Sequence, residues 1–147
     1  MVLQHLRPAQ AETSARGAAA ASPVHGKTIV IKLGTSSILS ETTFTPRLAI
    51  LSSLVETCHA LRKAGHKVLL CCSGAIGMGR VRMEMGKSGP PKTLGERQAL
   101  AAIGQLRLMA LWESLFSQLN IGIAQVLLTK HDIADVSLSD PIPRRRR

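Results

Sequence analysis

The stretch that most constrains this chain runs from Thr28 to Ser37. An unbroken aliphatic run ends in Lys32, Leu33 and Gly34, then in the hydroxyl residues Thr35, Ser36 and Ser37. A short apolar run without polar alternation suits a strand buried on both faces, as in a parallel sheet. Gly34 lets the backbone turn sharply and leaves room for an anion to approach the amides. Lys32 stands just before that turn, so its ammonium can reach the same place. The pattern predicts a phosphate cradle at the carboxyl end of a strand, where open α/β sheets bind ligands. It is neither a P-loop nor a dinucleotide fingerprint. In isolation it also fits a solvated lysine at a strand end.

A second turn of the same kind gives the first one weight. Lys67–Cys72 is another continuous apolar run, and it empties into Ser73, Gly74, Ala75, Ile76, Gly77, Met78 and Gly79. These small residues keep the turn uncrowded and let a helix start close to the sheet, where its free amides form a second anion site. Helix–sheet packing alone would also ask for small residues here. Between the two runs, Thr45 as N-cap and Pro46 as first helical residue open a helix predicted over 46–64. Its apolar stripe is Leu48, Leu51, Leu54, Val55, Cys58 and Leu61, and Gly65 closes it in the left-handed conformation. Strand, helix and strand form one right-handed βαβ unit.

Further on, Gly86 to Lys92 reads as a loop, and Thr93 with Glu96 forms a capping box that opens a long helix over 94–119. That helix is apolar on more than one stripe, with Leu100, Ile103, Leu108, Leu111 and Leu115 beside Ala102, Met109, Trp112 and Phe116. It is expected to be covered on both sides, by a second layer or by another subunit. Gly104 in its middle costs about 1 kcal/mol relative to alanine, which close approach of another backbone would offset. Residues 121–128 form a third strand, expected to lie parallel to and beside the first two.

The chain has 147 residues, enough for one domain with a real core, and its aromatic content of 2% makes that core aliphatic. The formal charge of +10 invites a nucleic-acid reading, but four of the positive charges are Arg144 to Arg147 and base-stacking residues are scarce. A basic balance suits anionic small substrates equally well. Cys58, Cys71 and Cys72 sit in apolar segments and read as reduced structural thiols, with no paired spacing for a metal site. No unbroken apolar run has the length of a membrane span, so a soluble protein is expected. Residues 1–26, rich in alanine, and 137–147, rich in arginine, read as disordered flanks of a domain over 27–136. A cytoplasmic location is expected, although the first flank faintly resembles a mitochondrial presequence.

Taken together, Lys32 to Ser36, Ser73 to Ile76, the helix from Gln98 to Glu113 and the run from Ile123 to Thr129 resemble the glutamate 5-kinases of the amino-acid kinase family. The resemblance implies a three-layer α/β/α fold with a mainly parallel sheet, here holding only its amino-terminal part, to just past the third main strand. It implies ATP-dependent phosphorylation of the side-chain carboxylate of L-glutamate, the first step towards proline. Carried over by position, Lys32 would be catalytic and bind the ATP phosphates, with Gly34 and Thr35 supplying loop amides. Ser73, Gly74 and Ala75 would bind glutamate, and Mg2+ would be held through ATP rather than by a protein metal site. After Val136 the family continues into further substrate contacts and the adenine site, and this chain does not. A chain of this extent is therefore expected to be inactive alone. Two other readings stay open: a non-catalytic chain docking on longer kinase subunits, and a basic nucleic-acid-binding protein.

Overall fold

The computed structural model describes residues 26–85 and 89–127, together with the backbone of 2–4. Its elements are β1 (Val2–Gln4), β2 (Thr28–Leu33), α1 (Thr35–Ile38), α2 (Leu48–Lys63), β3 (Lys67–Cys72), α3 (Ala75–Arg82), α4 (Leu94–Ser117) and β4 (Ala124–Val126). The sheet order is β2-β3-β1-β4. β2 and β3 pair in parallel along their whole length, from Thr28 opposite Lys67 to Leu33 opposite Cys72. β1 runs antiparallel to both β3 and β4, so three of the four strands share one direction.

The first two strands lie as expected, and the third does not. Only Ala124–Val126 of the anticipated 121–128 strand is extended and paired, and β1 stands between it and β3. A strand edge presents unpaired N–H and C=O groups, and the nearest chain able to satisfy them takes the place. Here that chain is Val2–Gln4, which corrects the expectation of disorder for those three residues. Met1 and residues 5–25 of the expected amino-terminal flank lie outside the described residues, as do 86–88 of the expected loop, 128–136 of the expected domain and the carboxy-terminal flank.

One face of the β2–β3 pair is covered and the other is open. Leu33, Val68, Leu70 and Cys72 are buried under the helices, in one cluster with Ile38, Leu51, Val55, Cys58, Leu108, Trp112 and Phe116. Val30, on the opposite face, is 63% exposed, and Lys32 beside it on that face is exposed too. The apolar run therefore is not buried on both faces among the described residues. The α/β class and mainly parallel sheet are present, with the helices forming a layer on one side.

α2 begins at Leu48 rather than Pro46, with Arg47 as N-cap and no side-chain cap. Pro46 is instead held in a bridge to Leu39, and Thr45 Oγ1 is engaged with Thr43 Oγ1 at 2.7 Å, so neither is free for the expected start. Leu48 consequently falls outside the buried stripe, which is Leu51, Val55 and Cys58. Gly65 closes the helix at φ 86.

α4 opens with the anticipated capping box: Thr93 Oγ1 accepts from the Glu96 amide, and the Glu96 carboxylate accepts from the Thr93 amide. It ends at Ser117, two residues short of expectation. Its buried stripe is single, Leu100, Gly104, Leu108, Trp112 and Phe116 at four-residue steps. Ile103 and Leu106 are exposed, so coverage on both sides is not found among the described residues. By length and composition α4 is also apolar enough to cross a membrane. Glu96, Arg97, Arg107 and Glu113 interrupt it, which hid this from a search for unbroken runs. Its buried stripe belongs to the core.

Candidate functional site

Parallel pairing in register brings the ends of β2 and β3 to the same edge of the sheet. The chain then turns twice side by side. The Ser73 amide donates to the Leu33 carbonyl at 3.0 Å, and the Ser73 hydroxyl donates to the same oxygen at 3.0 Å. One carbonyl at the end of β2 thus anchors the turn that follows β3. Gly34 and Gly74 therefore stand at one edge of the sheet.

Each turn has its own construction. At the first, Gly34 caps α1 with φ −79 and ψ 166 and no side-chain cap. A Cβ built there would stand 3.8 Å from Lys32 Nζ and 3.9 Å from Ser36 Oγ. The ammonium of Lys32 is therefore folded over the glycine it precedes, where the sequence placed it. Thr35 and Ser36 are exposed beside it.

At the second turn, Gly74 takes φ 119, which side chains rarely adopt, and α3 starts at Ala75. The first bond inside α3 runs from the Met78 amide to the Gly74 carbonyl, so the amides of Ala75, Ile76 and Gly77 have no partner within the helix. They carry the positive end of its dipole. The two turns also touch through side chains. Gly74 lies against Ile38, and a Cβ at Gly77 would stand 2.7 Å from Leu39 Cδ1 and 3.3 Å from Thr35 Cγ2. Lys32, Gly34 and Thr35 are thereby brought together with Ser73, Gly74 and Ala75.

Two arginines that sequence reasoning passed over stand at this edge. Arg47 donates to the Ser36 carbonyl at 3.0 Å, tying the first turn to the start of α2. Arg80, on α3, donates to the Met85 carbonyl and stacks over the Phe44 ring at 5.8 Å. Phe44 itself sits at φ 55, in the loop between α1 and α2.

The cysteines are not part of this chemistry. Burial pushes the Cys58 thiol up to about 11 and, with the neighbouring Cys71 thiol adding to it, the Cys72 thiol up to about 12. Such thiols stay protonated at neutral pH and are poor nucleophiles. Cys71 and Cys72 point to opposite faces, as expected, and all three are free. Among the described residues, no group of three or more His, Cys, Asp or Glu stands close enough to hold a metal ion.

The family pattern that carries these turns matches the whole of the described domain. The amino acid kinase family model matches residues 27–146. The chain belongs to the amino acid kinase family. It is similar to a probable glutamate 5-kinase of Schizosaccharomyces pombe, 54% identical over 110 residues, which are 75% of this chain and 27% of that protein. An uncharacterized protein of Saccharomyces cerevisiae is 48% identical over 106 residues, 72% of this chain and 25% of its own length. A glutamate 5-kinase of Picosynechococcus is 46% identical over 109 residues, 74% of this chain and 29% of its own length. The chain thus spans little more than a quarter of the length of these relatives.

Proposed function

We propose that this chain carries the amino-terminal part of a glutamate 5-kinase site, which transfers the γ-phosphoryl group of ATP to the side-chain carboxylate of L-glutamate. The observation that carries the reading is the pair of hydrogen bonds that the Ser73 amide and hydroxyl donate to the Leu33 carbonyl, which fixes the two glycine turns side by side at one sheet edge. The relatives' names supply the substrate.

The chemistry asks little of a general base. A carboxylate with a pKa of about 4.3 is already an anionic nucleophile at neutral pH. The obstacle is bringing two anions together, and positioned positive charge and N–H donors overcome it. In this reading Lys32 binds the transferring phosphates and Gly34 and Thr35 supply amides to them. The turn of Ser73, Gly74 and Ala75, with the free first-turn amides of α3 opening from it, receives glutamate. Mg2+ travels on the ATP phosphates. The cradle fits such a group: Gly34 leaves open the volume beside Lys32 Nζ that a side chain would fill.

A second reading is favoured by α4, whose outward face leaves Ile103 and Leu106 exposed, Leu106 at 77%. Through that face the chain would associate with copies of itself or with longer subunits of the same family.

The test is ATP binding and ADP release by the purified chain, with and without L-glutamate. ATP–Mg2+ is expected to bind through its phosphates, and Lys32→Ala to weaken that binding about tenfold or more, as loss of a charged donor costs about 1.5–3 kcal/mol. Little glutamate-dependent ADP release is expected, because the chain spans so small a share of its relatives. Binding indifferent to Lys32→Ala would overturn the assignment. Glutamate-dependent turnover that vanishes in Lys32→Ala would show that this part of the fold suffices.

A further inference from the structure

The turn proposed to receive glutamate is backed by a helix, α4, that meets it through the backbone of Ala75. α3 and α4 cross backbone to backbone. A Cβ at Gly104 of α4 would land on the Ala75 carbonyl oxygen and the Gly79 amide nitrogen of α3. The contact is reciprocal, since a Cβ at Gly79 would land on the Leu100 carbonyl oxygen of α4. Both glycines are buried, and their surroundings are backbone, which cannot swing aside as a side-chain tip can. Elsewhere in α4, Gly95 faces open space.

We infer that Gly104 is a positioning residue for the substrate turn. Ala75 is the first residue of α3, one step beyond Gly74, so whatever displaces the Ala75 carbonyl displaces the first-turn amides with it. α4 is held in place by Leu108, Trp112 and Phe116 in the core, with the Trp112 and Phe116 rings 5.9 Å apart. The core therefore sets the height of α4, and Gly104 transmits that height to α3. At the Lys32 turn the corresponding glycine meets no helix backbone: a Cβ at Gly34 would stand near only Lys32 Nζ and Ser36 Oγ. Gly104 thus acts on one of the two turns. The inference rests on the reading that 73–75 receives L-glutamate.

The test compares isotope-labelled chain carrying Gly104→Ala with two controls, Gly95→Ala and Leu108→Ala. Gly95→Ala adds the same methyl to open space; Leu108→Ala loosens the core while leaving Gly104 in place. In Gly104→Ala the amide resonances of residues 73–77 are expected to move and L-glutamate affinity to fall about tenfold. ATP–Mg2+ affinity should change less than twofold. In Leu108→Ala the melting temperature should fall, and the 73–77 resonances of the folded fraction should move less than in Gly104→Ala, where the added methyl meets the α3 backbone directly. Unmoved 73–77 resonances in Gly104→Ala, or glutamate and ATP affinities falling together, would overturn the inference. Should Gly104→Ala not fold, hydrogen exchange in the unaltered chain decides. The Met78 and Gly79 amides must open together with the middle of α4, and separate opening of α3 overturns the contact as a positioning device. If the unaltered chain takes up no L-glutamate, the functional reading fails, while the 73–77 resonances still decide whether Gly104 sets the turn.

Discussion

The two turns at the carboxyl edge of the sheet look alike in sequence and differ in what their glycines do. Gly34 has an ordinary extended backbone at φ −79 and meets only the flexible tips of Lys32 and Ser36. Gly74 sits at φ 119, is buried, and backs onto Ile38. Any residue could take the backbone at Gly34, so the space it leaves open is of use to a ligand. At Gly74 the backbone itself requires glycine, whether or not anything binds. One turn is open and adaptable; the other is set by the fold. In a transfer between two anions this division has a use. In the function proposed above, the fixed turn would hold the acceptor, while the open one would accommodate a phosphate whose position changes as its bond is made and broken.

The largest expected effect falls on the fixed turn. Gly74→Ala should lower stability by about 1–3 kcal/mol, the usual cost of holding a side chain in a sparsely populated backbone region. Its Cβ would add a contact at 3.5 Å to Ile38 Cδ1, in the fully buried part of the core. Urea denaturation midpoints measure it, and a change within the error of the method would erase the contrast between the turns.

Next in size is an alkaline effect on the strand that leads into the fixed turn. Below about pH 9 the thiols of Cys58 and Cys72 are protonated whether the chain is folded or not, so pH does not act through them. Above it the unfolded chain's thiols ionise, while the folded ones hold their protons up to about 11 and about 12. Unfolding then releases protons, and stability falls as pH rises through that window. Cys72→Val, which keeps the volume and removes the titration, should show a shallower decline in urea midpoint from pH 8 to pH 11. Parallel declines would show that β3 is more open to water than its burial indicates.

Much of this arrangement was legible in the residues. Continuous apolar runs placed β2 and β3, and glycine after each run placed both turns, because strand ends in a parallel sheet need sharp, uncrowded reversals. The Thr93 and Glu96 pair placed the start of α4 through local hydrogen bonding alone. Gly104 declared a close approach but not its partner, since the distance to Ala75 is set by tertiary packing. The third strand failed for a similar reason. Periodicity reports that 121–128 can be extended, not which edge it meets, and β1 took the edge beside β3. The start of α2 was misplaced because Pro46 and Thr45, both good helix openers, were claimed by a bridge to Leu39 and a bond to Thr43. Arg47 and Arg80 escaped notice because an arginine's role depends on which carbonyl or ring lies within its reach.

The smallest expected effect on stability is at the open turn, and there the comparison is sharpest. Gly34→Ala should leave the urea midpoint within about 0.5 kcal/mol of the unaltered chain, since φ −79 suits alanine and the nearest atoms are side-chain tips. The added methyl would nevertheless stand 3.8 Å from Lys32 Nζ, inside the volume assigned to a phosphate. ATP–Mg2+ affinity should therefore fall about tenfold with little loss of stability, by titration of the same preparations. Gly74→Ala should do the reverse, losing stability while the folded fraction keeps its ATP affinity. If Gly34→Ala instead destabilises the chain as much as Gly74→Ala, the first glycine serves the fold. The phosphate reading of its turn would then rest on Lys32 alone.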